Sequence, residues 1–558
     1  VPRRIRQTSG TVHESPYAYW DFLLNLNSKP TSLRYILSFD PHVSGGQSMK
    51  FKYLALVLVC ATAAACQTPA PPAGQNQSAS PATTSSDARY GQLASLPFVK
   101  SQLSKDSVAA LKDELAFQRA VQLYLWALPS LNMYGMKEAS EAKFGKGYNV
   151  LPIFRDRLNA KTLITTPNSD VIYALGYLDL KEDGPLVIEA PPGLQGIIDD
   201  FRQRPIPSVG EIDGKRWSGD VGLPGPDRGK GGKYLMLPPD FTGQVPKDDN
   251  YLVFKSQTYG VFVFWRGFFE DPKQLEEPVK VMEQTKIYPV GKKASAKPMQ
   301  FPNASNVPIN MLYPHDFTAF EMIDRYIQHE YVDPADFEFR GMAKALGIEK
   351  GKPFTPDARM KALLDKAAQA AYRMGVVEAT NLPKYYADRQ WLRPLPTDSV
   401  HEFTFDTYND VAWRTAMFTL GYSNSPAMFL NLPDTGAKYP FTVTDADGEA
   451  FDGNRNYKLH LPAGIPAKLF WSVTLYDPAT GVGLDNGQPF PSLNQMDRPV
   501  VNADGSIDIY LGPKSPGDGK NWMATIPNQG FFVMVRLYAP GQAFFDQSWK
   551  PDDVVKVN

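Results

Sequence analysis

The sequence predicts an α+β chain, mostly β, with two antiparallel β regions joined by a helical segment. Three observations carry this. Short apolar runs separated by Gly and Pro fill residues 163–266, helical spacing with capping side chains fills the middle, and short strands return from Phe441 onward between Asp-Gly turns.

The first element is Met49–Cys66, MKFKYLALVLVCATAAAC. Lys50 and Lys52 give it a basic start, Tyr53–Val59 is apolar, and Ala63-Ala64-Ala65 is a small-residue cut site before Cys66. Its apolar part runs about 13 residues, against the roughly 20 a helix needs to cross a bilayer. It therefore reads as an export signal. If Met49 is the start, Val1–Ser48 is a leader absent from the mature protein, since a signal cannot lie that far inside a secreted chain. Removing the first 65 residues takes away seven basic and three acidic side chains and leaves 493 residues with a net charge of about −5. No clustered basic face calls for nucleic acid. Both cysteines, Cys60 and Cys66, lie in the signal region, so the body carries no disulfide, thiolate nucleophile, iron–sulfur cluster or cysteine-bound zinc.

Gln67–Asp87 is Pro, Ala, Ser and Thr with almost no large apolar residue, so it reads as a disordered tether over 66–90 that holds the body about 25 Å from its anchor. An N-terminal helix-plus-β region is expected over 91–300. Its helix starts near Asp106, capped by Asp106 or Ser107, carries Val108, Leu111, Leu115, Leu125 and Leu128 at near-helical spacing, and ends at Pro129. Strands follow at 163–180, 186–190, 234–237, 251–254 and 261–266, a spacing that suits a sandwich or barrel better than βαβ units. A helical connecting region over 301–425 holds helices at 317–331, 334–346, 356–380 and 410–421, with Asp333 and Thr355 as capping residues ahead of Pro334 and Pro356. A second β-sandwich over 426–558 has strands at 441–444, 456–461, 468–476, 506–511 and 531–538. No internal sequence repeat links the two β regions.

Two resemblances add to this reading. The cysteine at the cut site makes Met49–Cys66 resemble a bacterial lipoprotein signal. That implies a diacylglycerol and a palmitate-like acyl chain on Cys66, with Gln67 favouring the outer membrane and a periplasmic or surface-facing body. TPNSDVIYALGYLDL from Thr166 and GGKYLMLPPDF at Gly231–Phe241 resemble the domain-of-unknown-function family numbered 1254. DADGEAFDGNRNYKLHLP, LFWSVTLYD and NWMATIPNQGFFVMVRLYAP, the last at Asn521–Pro540, resemble its companion numbered 1214. The pairing covers roughly 132–546. It implies two jelly-roll-like β-sandwich domains and no established catalytic residues.

The search for chemistry is mostly exclusion. The chain lacks HExxH, GxSxG, GxGxxG after a strand and GxxxxGK[ST]. His315, His329, His401 and His460 are scattered, so no metal site and no cofactor is expected. Asp170 reads as an Asx turn opening a strand or as a general acid or base at a strand mouth. Arg266 and Arg536 sit in strands that otherwise want burial, so each needs a carboxylate, with Asp477 or Asp170 the structural candidates, or an anionic ligand. Trp471, Tyr476 and Trp522 are either sandwich core or a stacking platform for sugar rings. The function expected is binding of a small molecule or of an envelope glycan, with membrane attachment through Cys66 and possible self-association. A glycan hydrolase using a carboxylate, Arg and Tyr cleft is the alternative, and whether the protein is an enzyme stays open.

Overall fold

The structure, a computed structural model, describes residues 84–246, 250–396 and 403–557. The expected leader, the signal, Cys66, the first part of the tether and His401 lie outside the described residues. Thr84–Ala94, which takes in the end of the expected tether and the start of the expected N-terminal region, is helical. Arg89 fastens this helix by its ion pair to Glu114 at 2.9 Å and its position 5.7 Å over the Phe117 ring. Among the described residues 28% are helical and 25% lie in strands, so the chain is α+β with helix at least equal to strand. No helix among them is long and apolar enough to cross a membrane.

Residues Ala82–Asn558 form one compact unit. Its axis is helix α1, Lys105–Phe144, which Ser104 caps by accepting the Ser107 N–H. The helix does not stop at Pro129. A proline in a helix interior costs about 3 kcal/mol, but here residues on every side of the helix from Ala120 to Met136 are buried. Arg202 donates to the Trp126 carbonyl at 3.4 Å and Gln203 to the Pro129 carbonyl at 2.8 Å, so the disturbed turn is tied into the protein. Helices α2 (Thr318–His329), α3 (Phe337–Ala345), α4 (Ala358–Thr380) and α5 (Val411–Leu420) pack against α1. Asp357, not Thr355, caps α4, and Asp410 caps α5.

The strands of the two main sheets of the first half are β1 (Ile153–Phe154), β2 (Ile172–Asp179), β3 (Leu186–Ala190), β4 (Gln195–Asp200), β5 (Asp220–Val221), β6 (Gly232–Leu237), β7 (Tyr251–Lys255), β8 (Gly260–Gly267) and β9 (Lys286–Pro289). Those of the second half are β10 (Ala437–Lys438), β11 (Phe441–Thr442), β12 (Asn456–Leu461), β13 (Ala467–Tyr476), β14 (Ser492–Asn494), β15 (Ile507–Gly512), β16 (Asn521–Ala524), β17 (Phe532–Pro540) and β18 (Val555–Val557). The first half has sheets β7-β6-β3-β9 and β1-β2-β8-β4-β5; the second has β16-β15-β12-β18 and β10-β17-β13-β14, with β11 also on β17. Adding nine to each label of β7-β6-β3-β9 and β2-β8-β4-β5 gives the pairing order of the second half. Even the parallel pairs correspond, β6 with β7 and β15 with β16. The halves repeat one topology that no sequence repeat announces. One sheet of each half is therefore mixed, while the sheet built on β8 and the sheet built on β17 are antiparallel throughout, and all four are open.

In each half the two sheets enclose a core. Ile188, Met236, Val263 and Trp265 meet in the first, and Leu459, Ile509, Val473 and Val535 in the second. Gly196 lies opposite Trp265, and any Cβ there would come within 2.2 Å of the indole. The other face of β8 is also apolar: Phe262 and Phe264 join the helix core. Both faces of the middle strands are thus covered, as a central strand with a continuous apolar run requires.

Glu330, fully buried at the end of α2, accepts the N–H groups of Tyr259 at 2.6 Å and Gly260 at 3.3 Å and so fixes the helix to the start of β8. Burial raises its pKa to about 7, against the neighbouring His329 charge and those two hydrogen bonds. A raised acid pKa adds stability in full below the ordinary carboxylate range and loses it as pH climbs through about 7. Wild-type unfolding free energy should fall between about pH 5 and 8, by on the order of 1–3 kcal/mol from this group. Urea denaturation of Glu330→Gln should show a flatter pH slope.

Candidate functional site

The outer faces of β8 and β17 line one cavity of about 110 Å³. Strand periodicity puts Phe264 and Arg266 of β8, and Phe532, Met534, Arg536 and Tyr538 of β17, on these faces. The ends of α4 and α5 and the segment that follows α5 close the remaining walls with Leu420, Gly421 and Tyr422, Leu395 beside them. The lining is apolar and aromatic apart from two guanidiniums, four phenols, Thr166 and Asn168. Among the described residues it contains no carboxylate.

Arg536, 3% exposed, is bound from both halves. It donates to the Thr474 hydroxyl at 2.9 Å and to the carbonyls of Thr166 at 3.3 Å and Pro167 at 3.4 Å, and lies 5.4 Å over the Tyr476 ring. The Tyr476 hydroxyl also donates to the Pro167 carbonyl, and the Asn168 amide to the Tyr538 hydroxyl. Thr166 has φ 38°, a left-handed conformation that a β-branched residue rarely adopts. Its N–H on the Gly481 carbonyl and its carbonyl on Arg536 hold it there. Strain of this kind, kept at a cavity wall, is a mark of functional loops.

Arg266 is bound far less. One Nη donates to the Met428 sulfur at 3.8 Å, the guanidinium lies 5.0 Å over the Phe264 ring, and its Nε is buried with no hydrogen-bond partner. Among the described residues neither arginine has a carboxylate within ion-pairing distance, which corrects the expected pairing with Asp170 or Asp477. Asp477 instead caps its own turn through the Ala479 and Thr480 N–H groups and accepts from Gln529. Asp220, the carboxylate whose charge reaches Arg266, is pushed up to about 6 by burial and gives its oxygens to Ser425 and the Ala427 N–H.

Asp170 is fully buried and away from the cavity lining. One oxygen accepts from Ser492 and Asn494, both at 2.8 Å, with Arg157 at 3.5 Å; the other has no partner. It joins the halves rather than facing a cleft. Trp471 and Tyr476 point to opposite faces of β13, Trp471 into the core between the sheets and Tyr476 toward Arg536. Trp522, on β16, gives its indole N–H to the Gly512 carbonyl. The three do not assemble into a stacking platform. His315 stacks on Tyr372, His329 pairs with Asp179 and His460 with Asp508, and no group of potential metal ligands forms among the described residues. Thr166, Tyr173, Tyr422 and Tyr439 went unmarked in the sequence. For Tyr173 the signal was present: it is one step out of phase with Ile172 and Ala174, whose side chains fill the first core.

Two family models match the chain. One, described as a protein of unknown function (DUF1254), covers residues 148–289; the other, described as a protein of unknown function (DUF1214), covers 436–542. The first match spans β1 to β9 and stops at the last residue of β9; the second covers β10 to β17. Among solved structures the chain is similar to the VPA0106 protein from Vibrio parahaemolyticus, with 18% identity over 80% of this chain and 100% of that one and a TM-score of 0.47. It is also similar to an uncharacterised protein from Burkholderia cenocepacia, with 14% identity over 81% and 97% and a TM-score of 0.34. No curated protein matches the chain.

Removing Arg157 would leave the buried Asp170 charge without its cation. Arg157→Met should lower the unfolding free energy by about 3 kcal/mol, and Asp170→Asn by less, since the amide keeps shape and carries no charge to strand. Chemical denaturation of the two variants checks the order.

Proposed function

We propose that this protein binds a small, largely apolar molecule in the cleft between its two halves. The observation that carries the reading is one cavity, walled by the outer faces of both middle strands, whose apolar lining includes a buried Arg536 and a half-buried Arg266, neither with a carboxylate partner among the described residues. Concave apolar sites with a few convergent polar groups are the usual form of a ligand pocket. A glycan fits this lining less well, because most of the wall is apolar and would leave many sugar hydroxyls without hydrogen-bond partners. The hydrolase alternative draws little support, since among the described residues the lining holds no carboxylate and Asp170 is tied into the contact between the halves. The repeated order of facing open sheets supports a jelly-roll-like ancestry for each half.

We place this binding body at the outer membrane, carried by lipid on Cys66 and facing the periplasm or the surface. The basic, apolar and small-residue succession of Met49–Cys66 supports that placement. Labelled palmitate should enter the expressed wild-type protein and not Cys66→Ser.

The cleft is tested by thermal unfolding with indole, a neutral apolar probe. Saturating indole should raise the melting temperature, as a ligand at 100 times its Kd adds about 2.7 kcal/mol. Ala416→Phe, which fills the cavity from α5, should remain folded and lose the shift. An unshifted wild-type melt, or an undiminished shift in Ala416→Phe, would count against the reading.

A further inference from the structure

On the cavity wall the Nε of Arg266 is buried without a hydrogen-bond partner among the described residues. Tyr173, Tyr422 and Tyr439 line the same cavity. The same tyrosines, with Tyr538, are the phenols whose charge state Arg266 feels. Burial holds Tyr173 and Tyr422 well above the ordinary phenol range, so they face the cavity as neutral O–H donors and do not neutralise the guanidinium. Arg536 is differently placed: it donates to Thr474 within its own half and to Thr166 and Pro167 of the other, and the latter two bonds hold the halves together. The wall therefore offers a guanidinium with an unmet donor, ringed by hydroxyls able to donate, and it is positively charged. Leaving the buried Nε unmatched is costly, and a bound anion removes that cost.

We propose that the cleft selects a small monocarboxylic acid with an aromatic or branched apolar body, whose carboxylate is held by Arg266 with Tyr173, Tyr422 and Tyr439. This rests on the cleft being a ligand site at all. A carboxylate matches a guanidinium edge and accepts several donors through two oxygens. Leu395, Leu420, Phe441, Phe532 and Met534 then surround the apolar body. One guanidinium with free donor capacity matches one negative charge, which favours a carboxylate over a phosphate monoester. Arg536 acts as a positioning residue: it keeps Thr166 at the wall and adds to the positive potential.

The test uses benzoate, benzamide, benzyl alcohol and phenyl phosphate as probes, titrated calorimetrically into the wild-type protein. Benzoate should bind at least about tenfold more tightly than its isostere benzamide, in line with a charge-assisted hydrogen bond. In Arg266→Gln benzoate should fall to the level of benzamide, while benzyl alcohol stays within about threefold of wild type. Tyr439→Phe should weaken benzoate several-fold and by more than it weakens benzyl alcohol, and it serves if Arg266→Gln does not fold. Equal binding of benzoate and benzamide overturns the proposal and leaves the cleft standing as a ligand site. Tighter binding of phenyl phosphate than of benzoate also overturns it, as does discrimination that survives Arg266→Gln. Failure of all four probes to bind overturns both the proposal and the cleft reading.

Discussion

A guanidinium removed from water has to find its acceptors inside the protein. At Arg536 that requirement joins the two halves. The strand carrying it belongs to the second half, and two of its acceptors are carbonyls of the loop that opens the first. The loop continues through Asn168 on Tyr538 and Asp170 on Ser492 and Asn494, so its polar groups are satisfied by the other half almost residue by residue. The link is answered from the opposite direction. Ser423 and Asn424, which follow α5, bond to Asp199 of β4, and the Ala427 N–H bonds to Asp220 of β5. The cleft lies between these two sets of contacts, and its geometry follows from them.

The repeated strand order gives the two halves different tasks from one plan. In both, the middle strand turns one face into its own core and the other toward the cleft. In both, an arginine sits on the cleft-facing side of that strand. One is engaged by the neighbouring half, while the other keeps an unmatched donor. Divergence between equivalent faces of a doubled fold is one way to obtain an asymmetric pocket from a symmetric arrangement.

Much of the fold was legible. Asn456–Leu461 is a strand with the bounds its alternation suggests, because Tyr457, Leu459 and Leu461 fill the core while Lys458 and His460 face outward. Strand β4 was not seen, since its sequence ends in Asp199 and Asp200. Those carboxylates are buried against Ser423 and Arg204, partners that local pattern cannot supply. Pro129 misled for the same kind of reason: tertiary contacts hold a turn that local propensity would end. Arg266 and Arg536 were visible as charges in apolar strands. Their surroundings were not, because carbonyls and phenols carry no sequence mark that distinguishes them from ordinary core. The doubled topology was hidden because strand pairing depends on which edges meet and not on matching residues.

Arg536 and the Thr166 carbonyl it binds are 370 residues apart in the chain. During synthesis at about 5–20 residues per second, the opening loop waits some 20–70 s for its partner to be made. Until then its polar groups rely on water, and the outer face of β2 and β8 has nothing from the second half to cover it. Completion of the chain is thus a condition for native folding, and a nascent chain kept unfolded for export would postpone that meeting until the whole polypeptide has been released.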